Sequence, residues 1–287
     1  MTVIAPDITE RAERSTILRI ARKELGGTVT SRWFSMWVLA FVALAAVLVM
    51  IALPGSRMSG EVGFGRTGAS LVTLVQIIIP LMGLSLGALT VANQRESGAL
   101  RFLLSHPISR SEAFWGIYLG QAAALAIAAG AGFGIAGLVT ALRGVSSGAG
   151  VFAWIAITSW VLALIMLGVG MLISAYTSSS GAALGVAVFV WLTLVFIGDL
   201  GLMGTAVATN MPVSALFATA LLNPVEAFRL SALTALSGSL DALGPAGIYA
   251  VDTLSNNLGL VLSAVLGFWV AMPAFLAWRR FTGRSDL

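Results

Sequence analysis

The segment that decides the fold is residues 144–198, which reads GVSSGAGVFAWIAITSWVLALIMLGVGMLISAYTSSSGAALGVAVFVWLTLVFIG and contains no charged residue. A helix needs roughly 20 apolar residues to cross a hydrocarbon core about 30 Å thick. The segment is therefore long enough for two crossings that turn at residues 176–181. In the whole chain, 58% of the 287 residues are hydrophobic and 10% are charged, and the mean hydropathy is +0.97. This composition excludes an ordinary soluble domain, which is about one quarter charged.

The length of the other uncharged, apolar stretches, judged in the same way, predicts an all-α polytopic membrane protein with six transmembrane helices. The predicted spans lie at about 33–53, 70–91, 114–138, 152–175, 182–198 and 258–278, within a transmembrane domain of residues 33–281. Residues 1–32 form a leader and residues 282–287 a tail. Residues 92–112 form an inner loop, and residues 199–257 an outer segment that is predicted to hold short or re-entrant helices.

The basic residues orient these spans, with both termini in the cytoplasm. The inner side then carries Arg11, Arg14, Arg19, Arg22, Lys23, Arg32, Arg95, Arg101, Arg110, Arg279, Arg280 and Arg284, and the outer side carries Arg57, Arg66, Arg143 and Arg229. This asymmetry follows the positive-inside rule. Residues 201–222 are also uncharged, but a seventh span there would strand the terminal arginines outside and place Pro212 in mid-bilayer. The basic character therefore follows membrane orientation and does not indicate nucleic-acid binding.

A short amphipathic helix is predicted ahead of the first span. Leu18, Ala21 and Leu25 form one stripe with Ile17 beside it, and Arg19, Arg22 and Lys23 lie on the polar side. The pattern predicts a helix on the membrane surface. It acts either as an interfacial lever that leads into the first span or as a polybasic anchor for anionic lipid.

The inner loop contains a second short apolar helix among charged residues. Leu100, Phe102, Leu103 and Leu104 are predicted to form an exposed apolar patch. Such a patch normally needs a partner protein or the bilayer surface. On composition alone, both interpretations stay open.

Two stretches resemble the permeases of ABC-2 type ATP-binding-cassette exporters. Arg22-Lys23-Glu24-Leu25 resembles the connecting helix of that family, and residues 96–110, ESGALRFLLSHPISR, resemble its E-x-G-T-L-x-x-L-L-x-x-P-x-x-R element. Two positions depart from the family pattern, since Ala99 replaces the usual Thr and Gln94 replaces a frequent Gly or Glu. The resemblance implies a homodimeric permease of type V exporter-like fold in a bacterial or archaeal cytoplasmic membrane.

The resemblance also implies a role for particular residues. In that family the inner element is the coupling helix that receives force from a separate cytoplasmic ATPase subunit. The matching positions are Arg95, Glu96, Gly98, Leu100, Arg101, Phe102, Leu103, Leu104, Pro107 and Arg110, and the connecting-helix positions are Arg19, Arg22, Lys23 and Glu24.

A narrower resemblance is to the Nos-type branch of these permeases, whose system matures the copper sites of nitrous oxide reductase in denitrification. It is carried by RKELG at 22–26, Arg32-Trp33, Gly63-Phe64-Gly65 and, above all, LNPVEAFRL at 222–230, which is similar to L-N-P-x-x-x-[FY]-R. The resemblance implies a NosF-like cytoplasmic ATPase and a NosD-like periplasmic β-helical protein as partners. The cargo stays open between a sulfur species, copper and mechanical force alone.

Charged and motif residues of the outer segment are candidates for an outer gate or a partner contact. They are Asp199, Asn223, Pro224, Glu226, Phe228 and Arg229. Glu226 and Arg229 have the i, i+3 spacing of a helical ion pair, so a structural pair that shapes the gate is expected.

No cofactor is expected on this chain, and ATP with Mg²⁺ is expected on the partner ATPase. A P-loop needs Gly-x-x-x-x-Gly-Lys-[Ser/Thr], but the only lysine, Lys23, is followed by Glu24. Cysteine is absent, which removes thiolate chemistry. The ten methionines are expected to serve mainly in packing, with Met203 and Met211 the pair that most merits a test as copper ligands.

Three alternative functions stay open. Gly83-Leu84-Ser85-Leu86-Gly87 matches the nucleophile-elbow string, but it lies inside a predicted span far from the only histidine, His106. A generic ABC-2 exporter of a lipid, drug or ion is the alternative within transport, and a membrane scaffold without transport is the alternative outside it.

Glycine pairs at 83/87, 130/134 and 181/185 predict close helix packing, or sliding surfaces between helices.

Overall fold

The computed structural model describes residues 6–59, 61–105, 107–142, 149–197, 212–234, 236 and 257–283. Regular structure in these residues is helical throughout. The helices are α1 (Pro6–Val29), α2 (Arg32–Ser59), α3 (Glu61–Glu96), α4 (Ala99–Leu104), α5 (Arg110–Leu142), α6 (Ala149–Tyr176), α7 (Ser180–Leu192), α8 (Val213–Leu221), α9 (Pro224–Thr234) and α10 (Leu258–Thr282). A π-helical turn, Thr193–Ile197, continues α7. The predicted all-helical membrane fold is confirmed.

Five of these helices contain stretches that are long and apolar enough to cross a bilayer. The stretches are Arg32–Ile51, Gly68–Glu96, Arg110–Leu142, Gly150–Tyr176 and Leu258–Thr282. Ser180–Phe196 is a shorter apolar helix, and α8 and α9 form a pair bent by 109°. The protein is therefore a multi-pass membrane protein. With its π turn, α7 rises about 27 Å, which is close to the thickness of the hydrocarbon core.

Contacts at the helix termini define two ends of the molecule. At one end, which we call the α1 end, the Trp278 indole of α10 donates to Ser111 Oγ of α5 at 3.0 Å. Arg95 of α3 donates to the Thr177 carbonyl, just after α6, at 2.7 Å. The start of α5, the ends of α3, α6 and α10, and the start of α7 therefore lie together. Successive long helices alternate in direction, as required of membrane crossings.

The opposite end, which we call the Glu226 end, holds the α8–α9 hairpin. The Trp154 indole near the start of α6 donates to the Ser231 carbonyl at 3.1 Å, and the Trp269 indole of α10 donates to the Leu221 carbonyl at 3.3 Å. Pro224, Val225, Ala227 and Phe228 of α9 are all buried. The hairpin is thus inserted among α3, α6 and α10, and both of its helices lie in the half of the molecule that is remote from α1.

The centre of the molecule is the α3–α6 interface, where glycines bring two backbones together. A Cβ atom on Gly87 would lie 2.8 Å from Met171 N and 3.0 Å from Gly170 Cα. One on Gly83 would lie 2.9 Å from both the Ala163 carbonyl oxygen and Met166 Cβ. Small residues are enriched at such contacts because lipid supplies no hydrophobic force to associate helices, so close packing must do it.

The other two glycine pairs behave differently. A Cβ added at Gly130, Gly134, Gly181 or Gly185 would meet no atom of the described chain within 4 Å. The packing prediction therefore holds for the pair on α3, whereas the pairs on α5 and α7 make no such contact with the residues that the structure describes.

The helix α1 packs along α5, and its buried face differs from the predicted stripe. Ile20 and Thr28 are buried, whereas Leu18 is 66% exposed. A Cβ on Gly116 would lie 2.6 Å from Ile20 Cβ, and one on Gly120 would lie 2.7 Å from Glu24 Cβ. The predicted stripe was wrong for Leu18, whereas its other members, Ile17, Ala21 and Leu25, are partly buried. The contact surface on α5 includes glycines that the helical pattern of α1 cannot reveal.

Candidate functional site

The candidate site is at the α1 end, where α4 lies between α3 and α5. Gly98 separates α3 from α4 and has φ = +74°, a conformation that residues with a Cβ rarely adopt. Its N–H donates to the Arg95 carbonyl at 3.2 Å, and its own carbonyl accepts from Phe102 N at 3.1 Å. Gly98 therefore ends one helix and starts the next, which fixes the position of α4 relative to the long helix α3.

The apolar side chains of α4 divide between the interior and the surface. Leu100 is 1% exposed and belongs to the core, whereas Phe102 is 72% exposed. The predicted exposed patch of four residues was therefore wrong for Leu100, which anchors α4 to the bundle. Leu103 is partly buried against the core, and the side chains of Arg101 and Leu104 lie outside the described part. Phe102 is the large apolar side chain that α4 presents outward in the described part of this loop.

Glu96, the last residue of α3, connects the end of that helix to the start of α7. One carboxylate oxygen accepts from Ser180 N at 2.8 Å, and the other accepts from Ser180 Oγ at 2.6 Å. Ser179 Oγ accepts from Ala182 N at 3.3 Å, so two side chains cap the same helix. A carboxylate at a helix N-terminus also interacts favourably with the helix dipole. We call this arrangement the Glu96 clasp.

Glu24 connects α1 to the same region. Gln94 Nε2 donates to both Glu24 carboxylate oxygens at 3.2 Å. Burial raises the pKa of the Glu24 carboxyl, while the adjacent Lys23 charge and the Gln94 hydrogen bond act in the opposite direction. One helical turn further on, Thr28 Oγ1 donates to Gln121 Oε1 on α5 at 2.9 Å. The helix α1 is thus held to both α3 and α5 by polar contacts.

The remaining predicted coupling residues have the following places. Pro107 is exposed and Arg110 is partly buried at the start of α5. Ser109 and Glu112 form a capping box there, since Ser109 N donates to Glu112 Oε2 at 2.7 Å and Glu112 N donates to Ser109 Oγ at 3.1 Å. Arg19, Arg22 and Lys23 lie on the exposed face of α1. His106 lies outside the described residues.

At the Glu226 end, the hairpin is held by two side chains. Glu226 is buried and forms an ion pair with Arg229 at 3.7 Å. Gln76 Nε2 of α3 donates to Glu226 Oε1 at 3.3 Å. Asn223 Oδ1 accepts from Val225 N at 3.0 Å, and Asn223 Nδ2 donates to the Leu194 carbonyl of the π turn at 2.7 Å. The structure thus has the expected ion pair and adds one attachment to α3 and one to the π turn.

These contacts bear on the predicted outer gate or partner contact. Pro224, Glu226 and Phe228 are buried within the chain, and Asn223 is partly buried. They therefore shape the hairpin from within and present little surface to another protein. Asp199, Met203 and Met211 lie outside the described residues.

Two chemical alternatives can be compared with the structure. Ser85 is buried inside the continuous helix α3, and its hydroxyl donates to the Met82 carbonyl at 3.1 Å. This is not the strand-to-helix turn of a nucleophile elbow. Within the described ranges, no group of three or more His, Cys, Asp or Glu side chains is arranged to hold a metal ion.

Four residues that form polar contacts between helices could not be identified from the sequence, namely Gln76, Gln121, Thr177 and Ser180. Each meets its partner across more than 60 residues of chain, as in Gln76–Glu226 and Ser180–Glu96. A single sequence contains no local signal for such pairs. The one available cue was the string of serines at 178–180, which predicts a helix N-cap but not the carboxylate that joins it.

Comparison with known proteins shows which family this chain resembles along its length. Residues 18–287 match a family model described as ABC-2 family transporter protein. The chain is 31% identical over 280 residues to "Probable ABC transporter permease protein NosY" of Stutzerimonas stutzeri, covering 93% of this chain and 98% of the relative. It is also 31% identical over 277 residues to the protein of the same name in Pseudomonas aeruginosa, covering 92% and 97% of the two chains.

Proposed function

The chain belongs to the ABC-2 family of transporter proteins, and from this premise we propose that it couples ATP hydrolysis by a separate cytoplasmic ATPase to work across the membrane. The ATP and Mg²⁺ would be held by that partner. The work is export or conformational force on a periplasmic partner. Two copies of this chain would form the membrane-spanning part, as the family resemblance implies.

The charge distribution supports a cytoplasmic location for the α1 end. Basic residues of the described helices collect there, namely Arg11, Arg14, Arg19, Arg22, Lys23, Arg32, Arg95, Arg101, Arg110, Arg279 and Arg280. Arg57, Arg66 and Arg229 belong to the Glu226 end. Basic residues are retained on the cytoplasmic side of membrane proteins. The hairpin would then lie on the periplasmic side.

The observation that carries the proposal is the arrangement of α4. A six-residue helix at the cytoplasmic end is anchored by buried Leu100 and presents the exposed Phe102 ring. An aromatic side chain that projects from an anchored helix is a typical anchor for a pocket on a partner protein. Gly98 joins this helix to the end of α3, and Glu96 joins that end of α3 to α7, so force applied at Phe102 would reach the spans directly.

We further propose that the system is the one that assembles the copper sites of nitrous oxide reductase. The proposal rests on the near full-length similarity to the two NosY permeases and on the LNPVEAFRL stretch. A NosF-like ATPase and a NosD-like periplasmic β-helical protein would be the partners. Because Glu226 and Phe228 are buried, the periplasmic partner would contact other surfaces of residues 199–257.

The test is affinity purification of the tagged chain from native membranes, with mass spectrometry of the proteins that accompany it. A Phe102→Asp variant is compared with Leu142→Asp, which places the same charge on a similarly exposed apolar residue (77%) at the far end of α5. Phe102→Asp should lose a P-loop ATPase that the parent and Leu142→Asp retain. Equal recovery of the ATPase with both variants would refute docking through α4.

The composition of the purified complex separates the alternatives. An ATPase together with a periplasmic repeat protein supports the Nos-type assembly. An ATPase without a periplasmic partner favours a generic exporter of a lipid, drug or ion. Absence of any ATPase from the parent complex in mild detergent would overturn the coupling proposal in favour of a membrane scaffold.

A further inference from the structure

The helix α7 is attached to the rest of the molecule at both of its ends, and near the second end its Trp191 indole also donates to the Ile77 carbonyl of α3 at 3.0 Å. At its cytoplasmic end, the Glu96 clasp joins it to the last residue of α3, just before the turn at Gly98 that leads into α4. Along its length only Ala183 and Ala187 are buried. Gly181 and Gly185 make no close contact within the described chain. The helix therefore buries fewer of its residues than α3 or α6.

At its other end, α7 continues into the π turn that contacts the hairpin. Leu194 lies in this turn, and its carbonyl accepts from Asn223 Nδ2 at 2.7 Å. Asn223 stands at the bend between α8 and α9, where its side-chain oxygen also accepts from Val225 N. A single amide group therefore joins α7 to the point at which the hairpin changes direction. Short π-helical segments are frequent at functional sites in helices.

We propose that α7 is a mechanical link that transmits movement of the α4 loop to the α8–α9 hairpin, through the Glu96 clasp at one end and Asn223 at the other. The inference rests on the proposed function, because it names the path by which force received at α4 reaches the opposite side. A helix transmits a push along its axis because its backbone hydrogen bonds make it stiff in that direction. The helix α3 offers a parallel path, because Glu96 is its last residue and the Trp191 indole of α7 donates to its Ile77 carbonyl at 3.0 Å. The helix α3 is itself packed closely against α6.

The absence of cysteine from the sequence allows a direct measurement of this link. Ser231 on α9 is 4% exposed, so a Ser231→Cys variant has one thiol that reacts only when the hairpin opens. The rate of labelling by a membrane-impermeant maleimide is measured for the purified full chain in lipid nanodiscs. Glu96→Gln and Ser180→Ala, each added to Ser231→Cys, should change the rate by at least about twofold although they lie at the opposite end.

Two matched variants make the measurement specific. Glu112→Gln makes the same chemical change at the same end, in the capping box of α5, and should leave the rate at the Ser231→Cys value. Asn223→Ser keeps a cap for α9 but shortens the donor to Leu194, and should by itself raise the rate. In the Glu96→Gln/Asn223→Ser combination the Glu96 effect should disappear, because the link is already broken.

The proposal is overturned if Glu96→Gln labels at the rate of Glu112→Gln, or if the effects of Glu96→Gln and Asn223→Ser simply multiply. Folding of each variant is checked by size-exclusion chromatography, and Ser180→Ala supplies the answer if Glu96→Gln does not fold. No ATPase is present in this assay. A negative result would therefore leave the proposed function standing, and loss of the ATPase interaction would leave this result unaffected.

Discussion

Replacement of Gly87 by alanine should destabilise the molecule by forcing apart its central helices. The new methyl group would lie 2.8 Å from Met171 N, whereas ordinary contacts begin at 3.4 Å, so α3 and α6 must separate locally by 3.4 − 2.8 = 0.6 Å or more. The Leu167 carbonyl oxygen is closer still. These obstructing atoms belong to the backbone and cannot rotate away. A gap of this size forfeits about a quarter to a half of the dispersion energy of each atom pair that it opens.

The expected cost is about 1–3 kcal/mol, the usual range for overpacking a well-packed core. The hydrogen bond from Ala92 N to Ser174 Oγ, 2.8 Å long and between the same two helices, would be strained by the same separation. For a chain of this size each kcal/mol corresponds to roughly 2–4 °C in Tm. Gly87→Ala should therefore lower Tm by about 2–12 °C.

The assay is thermal unfolding in detergent, followed by the fluorescence of the eight tryptophans. Gly134→Ala is the matched control, because it makes the same change in a membrane helix where, beyond the helix's own neighbouring backbone, no described atom lies within 4 Å of the new methyl group. Both substitutions have the same effect on helix propensity, so their difference isolates the steric contribution. If Gly87→Ala were as stable as Gly134→Ala, the close α3–α6 contact described above would be refuted.

Three further predictions concern the polar contacts. Glu24→Gln should gain stability relative to the parent as the pH rises, because a carboxyl whose pKa is raised above 4.5 stabilises the fold below that pH and loses this contribution as it ionises. Measuring Tm of both proteins from acidic to neutral pH checks this, and parallel curves of Tm against pH would contradict it. Thr28→Val should cost about 1–3 kcal/mol by leaving the buried Gln121 carbonyl without its donor, and adding Gln121→Leu should restore part of that loss in thermal unfolding. Gln76→Leu should speed hydrogen–deuterium exchange of residues 224–234 by removing the amide donor to Glu226, while exchange in α1 stays at the parent rate; unchanged exchange in 224–234 would show that the contact does not hold the hairpin.

The fold class could be predicted from the sequence because the bilayer imposes strong rules on composition. A span must be long, apolar and helical, so uncharged stretches such as residues 144–198 can be read directly. The family could be recognised from a short element, residues 96–110, whose glycine and proline positions punctuate helices. Gly98 is an example, since its positive φ explains why a glycine stands between α3 and α4.

Side-chain positions within short helices were harder to predict. The six residues of α4 give less than two turns, so their apolar pattern cannot say which of Leu100 and Phe102 faces inward. For α1 the amphipathic stripe included Leu18, which the structure exposes. That helix packs on glycines of α5 and not on a uniform apolar surface, so hydrophobicity alone could not select its inner face.

The polar contacts at the two ends of the molecule could not be predicted, because they join residues far apart in sequence. Glu96 was identified by family resemblance as a docking residue, yet its carboxylate binds Ser180 of its own chain. Glu226 was expected to pair with Arg229, and it does, but its contact with Gln76 depends on the depth to which the hairpin enters the bundle.

The distribution of tight and loose packing suggests which parts can move as units. Gly83, Gly87 and Gly170 bring the α3 and α6 backbones into direct contact, so separation or rotation of these helices would break many contacts at once. Within the described chain, α7 lacks such contacts at Gly181 and Gly185, while Ala183 and Ala187 are buried and the Trp191 indole donates to the Ile77 carbonyl of α3. Movement of α7 against the α3–α6 pair therefore breaks fewer close backbone contacts than movement within that pair. For that reason we place the moving element at α7.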